Sequence, residues 1–115
     1  KVTKTYTEVF TDMYADKIKS KVIPCLQRLQ LADEFPDDAK ITVETNFDRK
    51  GYIVTSSLNL VDQSIFSDFQ AEILYHGLRR AFLRCQKTGY VLPEENYESW
   101  KSMQITFFKN ELLEN

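Results

Sequence analysis

Histidine and tryptophan occur once each in this chain, and cysteine only twice. Two cysteines and one histidine cannot furnish a structural zinc site, and no metal or cofactor is implied by any other spacing. His76 has no Ser, Cys or carboxylate at an evident triad spacing, so it reads as a solvated or core-edge side chain rather than an acid–base group. No apolar run is longer than a few residues, which leaves no candidate for a membrane-spanning helix. An excess of basic residues is also missing. The net charge is -2, the pI is near 5.4, and Lys and Arg are interspersed with acids. That distribution argues against nucleic acid or anionic lipid as the main partner. Glu34, Asp37 and Asp38 lack the alternating oxygen ligands of a calcium loop and read as solvated loop acids. Internal repeats and low-complexity tracts are absent, and the chain opens at Lys1 with neither Met nor a signal-peptide pattern. It is read as a single domain over 1–115, excised from a longer protein.

What is present suffices for one core. Apolar residues make up 43% of the 115 residues and aromatics 13%, above the composition of disordered segments. Thr5-Tyr6-Thr7-Glu8 fits a capping box. From there Tyr6, Phe10, Met13 or Tyr14, Ile18 and Val22 recur at helical spacing. Pro24 should kink or end that helix, with one more turn through Leu26 and Leu29. From Lys40 the period changes to two, with Ile41, Val43, Thr45 and Phe47 on one face. Asp48-Arg49-Lys50-Gly51 forms the turn of a hairpin whose second strand runs from Tyr52 to about Leu60, with a bulge near Thr55–Ser57. A second helix starts at Ser64 or Ser67 and ends near Cys85, with Phe66, Phe69, Ile73, Leu74, Leu78, Ala81 and Phe82 in its apolar stripe. Arg79, Arg80 and Arg84 crowd its C-terminal end, where positive charge suits the dipole. Pro93-Glu94-Glu95 opens a short helical turn. Tyr97 and Trp100 fold back as structural aromatics over the sheet, Met103–Phe107 makes a third strand, and 110–115 is read as a frayed tail.

Helix, strand, strand, helix, strand makes a two-layer α+β domain, with two main helices on one face of a three-stranded antiparallel sheet. Cys25 and Cys85 fall at the ends of the two helices. Paired, they would close a loop of ~60 residues, stabilising by about 4 kcal/mol in the chain-entropy model. Unpaired, they would be two buried thiols, and their number alone leaves both options open. The last strand carries the candidate interaction site. Met103, Ile105 and Phe107 face the helices, while Gln104, Thr106 and Phe108 occupy the open face. A strand at a sheet rim can accept a partner's extended segment through main-chain hydrogen bonds. The competing arrangement has 109–115 covering that strand.

Taken in order, these features resemble the TolA C-terminal domain family, and more distantly the TonB C-terminal domains. Ile18 and Val22 lead to Cys25; Ile41, Val43 and Phe47 precede Arg49-Lys50-Gly51; Arg84-Cys85-Gln86 is followed by Leu92-Pro93, Tyr97, Trp100-Lys101, Ile105 and Phe107. The similarity spans roughly 14–108. It implies a periplasmic domain of an inner-membrane-anchored protein, working with inner-membrane motor proteins and docking TolB and possible Pal-side partners. Bacteriocins and phage proteins use such domains for entry. The implied compartment is oxidising, which favours a Cys25–Cys85 disulfide. Leu26 departs from the Trp of many relatives, and 88–91 lengthens the link from Cys85 to Pro93. Two other functions compete with this one. A TonB-like domain would bind outer-membrane transporter peptides, although the Cys-Gln…Leu-Pro…Trp-Lys tail favours the TolA type. A small α+β ligand-binding domain or enzyme would need a polar pocket with a perturbed titratable group.

Overall fold

The computed structural model describes residues 6–26, 35–61, 66–87 and 89–113. Helix α1 spans Tyr6–Val22 and ends where Pro24 enters a 3₁₀ turn, Ile23–Cys25. Proline cannot donate to the carbonyl four residues back, which ends the α-helical ladder. Leu26 closes the 3₁₀ turn, its amide donating to the Ile23 carbonyl at 3.1 Å, and is itself extended (φ -70°, ψ 131°) and buried. Leu29 lies outside the described residues, as does Thr5 of the expected capping box. Tyr14, Ile18 and Val22 form the buried stripe of α1, whereas Met13 is 54% exposed. Between the two alternatives at that turn, the core therefore takes Tyr14.

Strand β1 covers Lys40–Asn46, and Ile41, Val43, Thr45 and Phe47 are all buried. In the turn that follows, Asp48 Oδ1 accepts from the amides of Lys50 (2.9 Å) and Tyr52 (3.1 Å). Gly51 sits at φ +86°, and its carbonyl accepts from the Tyr90 amide at 2.8 Å. A Cβ at that position would run into the Tyr90 backbone, so glycine is needed for space as well as for conformation.

The returning strand differs from a simply bulged ribbon. After a single bridge between Phe47 and Ile53 the chain makes a 3₁₀ turn at Thr55–Ser57, and only then forms β2, Asn59–Val61. Ile53 and Leu58 both reach the core although an odd separation would put them on opposite faces of a regular strand. The turn resolves that conflict. Ser57 Oγ donates to the Val54 carbonyl (2.6 Å) and accepts from the Asn46 amide (2.8 Å), replacing the interrupted ladder.

Helix α2, Asp68–Gln86, begins at Ser67 through a reciprocal capping box with Gln70, which settles its start against Ser64. Leu74, Leu78, Ala81 and Phe82 are buried as expected, with Ala71 beside them. Phe69, expected in that stripe, is 70% exposed. It lies two residues before Ala71, about 200° round the helix and away from the buried row, and Ala71 is buried in its place. Cys85 is bonded to Cys25, with Cα atoms 5.9 Å apart and a sequence separation of 60. This bond ties the C-terminal ends of α1 and α2 together. Lys87 (φ 39°) and Gly89 (φ 99°) turn the chain out of the helix.

A 3₁₀ turn at Glu94–Asn96 leads into the short helix α3, Tyr97–Trp100, and then into strand β3, Ser102–Phe108. The sheet is antiparallel throughout, in the order β2-β1-β3. The expected two-layer α+β architecture is thus the observed one. As far as Leu113 the tail is not frayed: helix α4, Lys109–Leu113, buries Leu112 to 1% exposure. Lys109 helps to anchor it, donating from its amide to Ala39 (3.1 Å) and from Nζ to the Phe35 carbonyl (2.7 Å). An apolar side chain at 112 supplies the burial that a free tail would forgo.

Candidate functional site: the rim of strand β3

β3 is an edge strand whose side chains and main chain are both divided by parity. Met103, Ile105 and Phe107 are no more than 2% exposed, their side chains forming the core. The register pairs Lys40 with Phe108 and Asn46 with Ser102. The same ladder continues through the Phe47 amide to Lys101 and the Lys109 amide to Ala39. Odd-numbered residues of β3 therefore bond β1, and the even-numbered Ser102, Gln104, Thr106 and Phe108 turn N–H and C=O towards the rim.

Part of that rim is already occupied. Helix α1 lies alongside it, and a groove of about 320 Å³ separates Asp12, Asp16 and Lys19 from Gln104, Thr106 and Phe108. Lys19 Nζ donates to the Thr106 carbonyl at 3.0 Å, lies 3.1 Å from Glu111 Oε2 and stands 5.0 Å over the Phe108 ring. Glu111 Oε1 accepts from the Phe108 amide at 2.8 Å. One ion pair, four-fifths buried on both sides, thus closes the C-terminal half of the rim. Among the described residues, the Gln104 main chain and the Thr106 amide make no hydrogen bond. Phe108 remains 47% exposed.

Tyr97 and Trp100 hold the entry to β3. Trp100 is fully buried, and its Nε1 donates to the Pro93 carbonyl at 2.8 Å. The Tyr97 ring meets it edge-on, with centroids 4.8 Å apart, and the Tyr97 hydroxyl donates to the Phe47 carbonyl at 2.8 Å. Both side chains are thereby fixed at the entry to β3. Outside this cluster, Lys101 hydrogen-bonds the Glu98 carboxylate and, with its charge, holds that group below the usual carboxylate range. Burial pushes the Tyr90 hydroxyl well above the ordinary phenol range, so it stays protonated and donates to the Phe82 carbonyl at 2.7 Å.

The other residues considered for chemistry are dispersed. His76 is exposed, with Glu72 3.8 Å away and the Tyr75 ring beside it. Asp37 approaches Lys109 at 3.3 Å, Asp38 is exposed, and Glu34 lies outside the described residues. Among the described residues no three potential metal ligands come together, and no helix is long and apolar enough to cross a membrane. Lys19 and Glu111 were not picked out as rim residues by sequence. Glu111 had a readable signal, an acid three residues beyond Phe108, which is half of a capping box. Lys19 had none, since a lysine on the wet side of a helix looks like any other. Compared with family models, curated proteins and solved structures, the chain finds no match.

Proposed function

We propose that this chain is a non-catalytic docking domain that holds an extended partner segment by strand addition at the Ser102–Thr106 half of β3. Within that class we read it as a Tol-Pal adaptor head: a periplasmic domain of an inner-membrane-anchored protein that engages TolB and Pal-side partners. The observation that carries this reading is the unbonded main chain of Gln104 on an edge strand otherwise anchored on its inner side. Unsatisfied rim groups are the usual substrate of β-augmentation. The Cys25–Cys85 bond is in keeping with an oxidising compartment, and the element order agrees with the resemblance in sequence.

Titration of purified TolB onto the domain by calorimetry tests it. Proline at Gln104 removes an outward amide without touching the β1 ladder, and it is expected to weaken binding by roughly tenfold or more, the equivalent of about 1.4 kcal/mol. An unaltered affinity in a variant with unaltered melting rejects strand addition at this rim.

The ion pair at the other end of the rim gives a test of opposite sign. Lys19→Met combined with Glu111→Gln releases the Thr106 carbonyl and loosens the hold on the Phe108 amide. The expected loss of domain stability is about 1 kcal/mol, while partner affinity rises by roughly fivefold, since one or two further main-chain bonds become available. Weaker or unchanged binding shows that the pair does not guard the rim.

A further inference from the structure

The opposite rim of the sheet carries a second groove, and its chemistry differs. Asn59 and Val61 of β2 stand opposite Glu44 and Thr42, with Leu60 opposite Val43. Because the odd-numbered residues of β1 bond β3, Thr42 and Glu44 bond β2, leaving the Leu60 N–H and C=O turned outward. Among the described residues neither group is bonded. Beside them a cleft of about 700 Å³ opens between β2 and the first two turns of α2. Its apolar surface comes from Leu58, Leu60 and Tyr75, and its charge from Glu44, Asp68 and Glu72. No basic side chain is among the described residues that line it. Glu44 accepts a hydrogen bond from Gln104 Nε2 at 3.3 Å and Glu72 has His76 3.8 Å away, so neither is neutralised by a fixed lysine or arginine.

We propose that the β2–α2 groove binds an extended peptide segment carrying Lys or Arg, which adds as a short strand beside Leu60 and sets its basic groups against Asp68 and Glu72. An outward-facing main chain selects an extended backbone. Three carboxylates facing one cleft select positive charge, and complementarity of this kind sets specificity and association rate. Leu60 shares the core face with Val43, so alternate side chains of the added strand point towards α2, where Lys or Arg meets Asp68 and Glu72 beside Tyr75, and the others lie on the face of Glu44. The site lies on the far edge from β3 and does not depend on how β3 is used, so two extended segments can be held at once.

The test is a titration of the ¹⁵N-labelled domain with a capped hexapeptide of alternating valine and lysine, followed by amide shifts. Shifts are expected at 58–61 and in the first two turns of α2. They should vanish when glutamate replaces lysine in the peptide, and also when alternate peptide amides are N-methylated, which blocks strand pairing. Glu72→Lys, at an exposed helix position, should weaken binding by about fivefold while the β1 and β3 amides keep their shifts. Shifts confined to other surfaces overturn the proposal. So does equal binding of the N-methylated peptide, which would mean charge attraction without strand addition, and so does an unaltered affinity in Glu72→Lys.

Discussion

Alanine at Trp100 is expected to lower the free energy of unfolding by about 4 kcal/mol, in the range for large aromatic deletions from a core. Three terms combine there. The side chain is fully buried, its edge-on contact with Tyr97 is lost, and the Pro93 carbonyl loses its donor. Trp100→Phe separates them, because it keeps most of the apolar volume but strands that carbonyl, for an expected cost of about 2 kcal/mol. Phe69→Ala is the control: at 70% exposure it should fall within about 0.5 kcal/mol of the parent. Urea melts of the three variants check the order. If Trp100→Ala and Phe69→Ala cost the same, Trp100 does not anchor the entry to β3.

Replacing both Cys25 and Cys85 with serine is expected to cost about 4 kcal/mol, because the bridge closes a loop of some 60 residues in the unfolded chain. For a domain of this size that corresponds to a fall in melting temperature of roughly 15 °C or more. Thiol titration of the non-reduced protein should find no free thiol, and reduction before melting should reproduce the double variant. Two titratable thiols in the native protein would remove both this expectation and the support it lends to an oxidising compartment.

The fold was legible wherever burial forces a single period. Ile41, Val43, Thr45 and Phe47 could only be one face of a strand, and Leu74, Leu78, Ala81 and Phe82 only one stripe of a helix. Reading failed where two local solutions have similar cost. The stretch between Ile53 and Leu58 admits either a bulge or a turn, and the hydroxyl of Ser57, able to bond Val54 and Asn46 together, tips it to the turn. Leu112 looked like tail because two adjacent leucines among polar residues have no period to betray them, yet the end of the sheet leaves room for Leu112. Phe69 lies two residues before the buried Ala71, about half a turn round the helix, which exchanges buried for exposed. The candidate site was legible as a strand and as an alternation. It was not legible as a partly closed rim, because pairing Lys19 with Glu111 requires the two ends of the chain to meet at β3, and sequence separation carries no such information. The groove at Leu60 stayed hidden for the same reason: it exists only once α2 has been laid beside β2.

The bond between Cys25 and Cys85 also changes how a pull would travel. On the docking reading proposed above, tension entering through α1 and leaving through a partner gripped at β3 need not run along the intervening polypeptide. The covalent shortcut passes from the end of α1 straight to the end of α2, and residues 26–84, including β1 and the hairpin, drop out of the mechanical route. Only the stretch from α2 to β3 remains in series with the stretched ends, stiffened by Trp100 and Tyr97. The middle of the sheet can therefore serve as an unstressed template against which β3 keeps its register while a bound protein is being drawn upon.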